Sequence, residues 1–177
     1  AEVDWGRTLS APDDDGTPTV GRIAELCRHL ADEVALTLRA GEFPVVVGGD
    51  HSVAIGTWSG VAGALGEPPG LLWIDAHLDS HTPETSYSGA IHGMPLACLL
   101  GRGDKRLLNL GLSGPQVSAA HTVVLGARSY EPEEFELLQR LGVRIIGDEE
   151  IQQRGFKACL DEALAIVAGA PAGFGVT

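Results

Sequence analysis

The segment Asp75-Ala76-His77-Leu78-Asp79 ends an apolar run, Gly70-Leu71-Leu72-Trp73-Ile74, and carries two carboxylates and an imidazole at every second position. In extended backbone successive side chains alternate between faces, so Asp75, His77 and Asp79 are expected to point one way and Ala76 and Leu78 the other. Such a mixed oxygen and nitrogen donor set suits a divalent ion such as Mn2+, Zn2+ or Fe2+. Converging carboxylates without a counter-ion are strongly disfavoured, and a cation at their meeting point removes that penalty.

A second imidazole and carboxylate stand in Gly48-Gly49-Asp50-His51-Ser52, after another apolar run, Pro44-Val45-Val46-Val47. Ligands of open α/β sheets bind beyond the carboxyl ends of the strands, so both segments are expected on one edge of a sheet. Either segment alone reads equally well as a solvated loop with a hydrogen-bonding histidine. Together they point to a metal site.

The elements that must position these residues follow from periodicity. Beyond a polar start at Ala11 to Thr17, Ile23, Leu26, Cys27, Leu30, Val34 and Leu38 recur at helical spacing, and Gly41 stands where a helix stops. Val53 to Leu65 reads as helical despite Gly56, Gly60 and Gly63, and Glu131 to Leu141 and Lys157 to Val167 have helical periodicity. Five strands are expected: Pro44 to Val47, Leu71 to Ile74, Thr122 to Leu125, Val143 to Ile146 and Phe174 to Thr177. Their alternation with helices predicts a three-layer α/β/α fold with a mainly parallel sheet, in one domain over residues 1–177. The irregular stretch from Ser80 to Pro95 starts at the proposed ligands, and loops of that length tend to be functional.

A chain of 177 residues that is 44% hydrophobic can bury a substantial core. Its formal charge of −12 argues against a nucleic-acid or anionic-membrane partner and suits metal ions and a cationic substrate. Cys27, Cys98 and Cys159 are widely spaced, which indicates neither a disulfide framework nor a thiolate zinc site and favours a reducing compartment. Without a signal-like opening or a membrane-length apolar run, the chain is expected to be cytoplasmic.

The text Val47-Gly48-Gly49-Asp50-His51-Ser52-Val53-Ala54-Ile55-Gly56, Trp73-Ile74-Asp75-Ala76-His77-Leu78-Asp79, Thr82-Pro83-Glu84-Thr85 and Ser88-Gly89-Ala90-Ile91-His92-Gly93-Met94-Pro95 resembles the ureohydrolases, arginase more than agmatinase. The resemblance implies the arginase-like α/β fold, two Mn2+ per complete site, and hydrolysis of a guanidino compound to urea by a metal-bridging hydroxide. By resemblance His51 and Asp79 hold one manganese, His77 holds the other and Asp75 bridges them. His92 resembles the family's proton shuttle, a role that suits the imidazole side chain. His81, Ser88 and Glu131 fall where the family reads its substrate, with Ala90 unable to hydrogen-bond through its side chain, and Glu131 before Pro132 reads equally well as a helix start.

The family centre also uses an Asp-x-Asp pair on a later strand, which would lie just beyond Thr177. The chain is therefore expected to be incomplete at both ends and to carry half a site, two carboxylates facing two dications. The resemblance favours L-arginine as substrate. Another guanidino acid such as 4-guanidinobutyrate, agmatine, and a non-catalytic ureohydrolase-like subunit stand as alternatives. A homo-oligomer, trimer or hexamer, is implied by the family.

Overall fold

The computed structural model of the chain describes residue 9 and residues 19–177. The polar start at Ala11 to Thr17 lies outside them. Helix α1 (Thr19–Arg39) buries Ala24, Cys27, Ala31 and Val34 along one stripe, and Gly41 beyond its end takes the left-handed φ of 78° that helix stops favour. Helix α2 (Val53–Leu65) keeps its glycines because α1 lies against them. A Cβ at Gly56 would sit 2.6 Å from Cys27 O, and one at Gly60 2.4 Å from Ala31 O. Residues that weaken the helix intrinsically are the ones that let the two backbones approach.

Strands β1 (Gly70–Ile74), β2 (Thr122–Ala127), β3 (Arg144–Gly147) and β4 (Phe174–Val176) pair in parallel in the order β3-β2-β1-β4. Side chains alternate between two cores, as strand geometry requires. Leu71, Trp73 and Val124 pack with Trp58 of α2 and Leu138 of α4 (Pro132–Leu141), while Leu72, Val123 and Leu125 pack with Cys159, Ala163 and Val167 of α6 (Phe156–Val167). This is the expected three-layer α/β arrangement. A further cluster, Ala24, Cys27, Ile55, Met94, Cys98 and Leu107, joins α1 and α2 to the short helix α3 (Pro95–Leu99). All three cysteines are buried and free, and burial pushes the Cys27 and Cys98 thiols up to about 11 and about 12.

Two expectations need correction. Pro44 to Val47 is extended but is not a strand: it pairs with nothing among the described residues, and Val45 and Val47 are exposed. A β-branched run becomes a strand only where a neighbour completes its ladder, so among the described residues the sheet has four strands rather than five. Helix α5 (Asp148–Arg154) was not foreseen, because its seven residues carry one apolar side chain, Ile151, and so show no period. Its acidic first turn suits a helix start, and Arg144 of β3 holds it through Glu150 at 2.5 Å. No helix among the described residues is long and apolar enough to cross a membrane.

Candidate metal centre

Strand β1 ends at Ile74, and Asp75 makes the last sheet hydrogen bond, from its N–H to Leu125 O at 3.2 Å. The chain then leaves the sheet, its Ala76 carbonyl accepting the Arg128 and Ser129 N–H groups. Asp75 to Asp79 is therefore not the extended alternation expected from spacing. Leu78 is fully buried, and Asp79 reaches the site through a left-handed backbone turn, φ 46°.

His51 enters from the segment before α2. Its Nδ1 lies 2.9 Å from Asp75 Oδ2 and 2.9 Å from Asp79 Oδ2, so one ring nitrogen faces two carboxylates. Asp75 turns its other oxygen to His77, Nδ1 at 3.1 Å and backbone N–H at 2.9 Å. The three residues His51, Asp75 and Asp79 present donor atoms within 4.8 Å of one another; His77 stands beyond that point, on the far oxygen of Asp75, and is mostly exposed. The indole of Trp73 stacks on the His51 ring, centroids 4.0 Å apart, and Thr177 Oγ1 lies 3.3 Å from Nε2.

Burial disfavours the His51 imidazolium, but the Asp79 and Asp75 carboxylates outweigh it and raise the pKa. Burial likewise opposes ionisation of Asp75, and the His77 N–H and the His51 ring together overcome it and lower that pKa. The point between Nδ1 and the two carboxylates thus attracts positive charge, whether proton or metal. The donor set, one imidazole nitrogen and two carboxylate oxygens with a second imidazole alongside, fits a divalent ion of the borderline or hard kind.

Residues 80–95 form a loop closed at its base, with His81 N–H donating to Gly93 O at 3.0 Å and Leu96 N–H to Asp79 O at 2.9 Å. His81 and Glu131 come together as a pair, Nε2 to Oε2 at 3.1 Å. Glu131 also precedes Pro132 at the start of α4, where it forms a capping box with Glu134, so the helix-start reading holds. Ser88 is on the exposed tip, where its Oγ accepts the Ala90 N–H at 3.2 Å, and it is not brought to the His81–Glu131 pair. His92 lies exposed on a short 3-10 turn, Ile91–Gly93. The Ser52 hydroxyl, which donates to Asp50 Oδ1, is the main cause of a lowered Asp50 pKa.

A model of the arginase family matches residues 5–176. The chain belongs to the arginase family. It is 44% identical over 145 residues to an arginase from Brevibacillus brevis, covering 82% of this chain and 48% of that protein. Against human arginase-1 it is 35% identical over 154 residues, covering 85% of this chain and 47% of that one. The native arginase structure from Bacillus caldovelox superposes with a TM-score of 0.84 at 35% identity, covering 99% of this chain and 58% of that chain. The chain spans about half the length of the curated relatives it matches.

Sequence reasoning passed over three residues of this region. Trp73 and Thr177 were read only as strand residues. Glu134 is 3% exposed and pairs with the loop; its signal was its place three residues after the helix start, where a glutamate commonly turns back to the first N–H groups.

Proposed function

We propose that this arginase-family chain takes part in manganese-dependent hydrolysis of a guanidino compound, L-arginine above others, to urea and L-ornithine. The observation that carries the reading is Asp75 set between two imidazoles, with the Asp75 and Asp79 carboxylates converging on one ring nitrogen of His51. In this reading His51, Asp75, His77 and Asp79 would hold the Mn2+ ions. When bound, the ions acidify a water so that a nucleophile is available near neutral pH and offset the negative charge that develops on the substrate.

The chain's own groups supply the rest. Asp79 accepts a hydrogen bond from the attacking water as well as holding metal. His92, exposed and free to meet solvent, delivers a proton to the leaving nitrogen, which departs as the ornithine amine. His81, two residues beyond Asp79, and Glu131, just before α4, read the amino-acid end of the substrate, with Ser88 on the loop tip apart from them. With two carboxylates in the cluster, the charge of two dications is only half met among the described residues, which supports a second reading: a subunit that completes its site with further polypeptide or serves a partner without catalysis. Assembly as a homo-oligomer and a cytoplasmic location belong to the same proposal.

Urea release should be measured with Mn2+ present on L-arginine, 4-guanidinobutyrate and agmatine. Arginine should turn over fastest and agmatine, which lacks a carboxylate, slowest. No urea from any of the three by a chain that binds Mn2+, together with copurification of a longer ureohydrolase, would favour the non-catalytic subunit.

A further inference from the structure

The residue whose surroundings the reaction leaves unexplained is Glu134, an ionisable side chain buried in the first turn of α4. Its Oε1 accepts the Ser80 N–H at 3.0 Å, its Oε2 accepts the Glu131 N–H at 3.0 Å, and its backbone carbonyl accepts the Ser80 hydroxyl at 3.3 Å. Immediately before Ser80 stands Asp79, in the left-handed conformation that non-glycine residues rarely adopt and that persists only where the surroundings impose it.

The peptide joining Asp79 to Ser80 is gripped on both sides. Its carbonyl accepts the Leu96 N–H at 2.9 Å, at the start of α3, and its N–H is the group that Glu134 holds. Fixing that plane fixes the backbone of Asp79, and so the direction in which its carboxylate leaves towards His51, 2.9 Å away. We infer that Glu134 is a positioning residue for Asp79, acting through the Ser80 N–H to hold the turn that aims the Asp79 carboxylate at the metal centre. The inference rests on the reading of Asp79 as a metal ligand.

A carboxylate is suited to the task because each of its oxygens accepts one N–H. A glutamine keeps the volume but must turn its amide donor towards either the Ser80 or the Glu131 N–H, so one grip is lost. Glu134→Gln is therefore expected to lower Mn2+ affinity by roughly 10–100-fold, the range typical of removing a partner that orients a ligand. In the metal-free chain its Ser80 and Leu96 amides should exchange with solvent faster. Ser80→Ala, which keeps the N–H, should leave the affinity unchanged.

Isothermal titration with Mn2+, beside amide exchange read residue by residue, tests this. Faster exchange at Ser80 in Glu134→Gln with Mn2+ affinity retained overturns the inference and leaves Glu134 a structural residue. Should Glu134→Gln fail to fold, the unaltered chain decides: Ser80 and Leu96 amides protected before Mn2+ is added support the inference, and protection that arises only with Mn2+ overturns it. An unaltered chain that binds no Mn2+ overturns the metal reading itself, and the inference with it.

Discussion

Two clusters, each of one histidine and two carboxylates, adjoin in the chain at Asp79 and His81: His51 with Asp75 and Asp79, and His81 with Glu131 and Glu134. In the second, backbone N–H groups satisfy the buried carboxylate, Glu134 receiving one on each oxygen, and the His81 ring is engaged by Thr85 and Glu131. In the first, two carboxylates converge on one ring nitrogen and no backbone N–H reaches Asp79 Oδ2 among the described residues. Proximity of donor atoms does not distinguish a metal centre from a structural lock. What distinguishes them is whether the chain itself supplies enough protons to balance the lone pairs.

The contrast can be broken most sharply at His51. Replacing it with Ala should weaken Mn2+ binding beyond the roughly 10–100-fold expected for an orienting residue, read by isothermal titration, while His81→Ala should leave binding within that range. Comparable losses from both would mean that the clusters are not different in kind.

Stability should respond the other way. Glu134→Leu leaves the buried Ser80 N–H without an acceptor, at a cost of about 1–3 kcal/mol, and frees the part-buried Glu131 N–H, a loss which chemical denaturation will resolve. Asp79→Asn in the metal-free chain should unfold at or above the temperature of the unaltered chain, since sites built for a ligand are commonly held at the expense of stability. A drop of many degrees would mark the first cluster as structural.

The pH dependence separates proton from metal at the same point. The folded pKa of His51 lies above the ordinary value of about 6.5, so in the metal-free chain its contribution to stability is fully present below that pH and fades as pH rises through the folded pKa. Mn2+ must displace this proton, so its stabilising effect should grow with pH over the same window. Melting curves with and without Mn2+ from pH 6 to 8 should therefore diverge, and parallel curves would contradict the shared point. The smallest effect belongs to Tyr87→Phe, which removes an exposed hydrogen bond to Glu133 at 2.9 Å and should change stability by no more than about 0.5 kcal/mol in denaturation.

Much of the fold was legible because burial imposes a local period. Leu71 to Ile74, Thr122 to Leu125 and Val143 to Ile146 read as buried parallel strands and are β1, β2 and most of β3, and α2 begins and ends where its pattern does. The pattern misled where pairing, not apolarity, decides. Pro44 to Val47 has the composition of a strand but lacks a neighbour among the described residues, and the short charged helix α5 has too few apolar positions to show a period.

For the site, the donor groups His51, Asp75, His77 and Asp79, with Asp50 beside them, were legible as candidates, because donor chemistry is a property of the side chain alone. Their convergence was not. It depends on a turn with positive φ at Asp79, on a glutamate some fifty residues further along the chain, and on the sheet order that sets β4 beside β1 so that Thr177 reaches His51. The sequence by itself determined which groups are present and which faces are apolar, since both follow from composition and local period. Only the tertiary structure decided which carboxylates face an unbalanced imidazole and which are quieted by backbone N–H groups, because that balance is set by contacts between residues far apart in the chain.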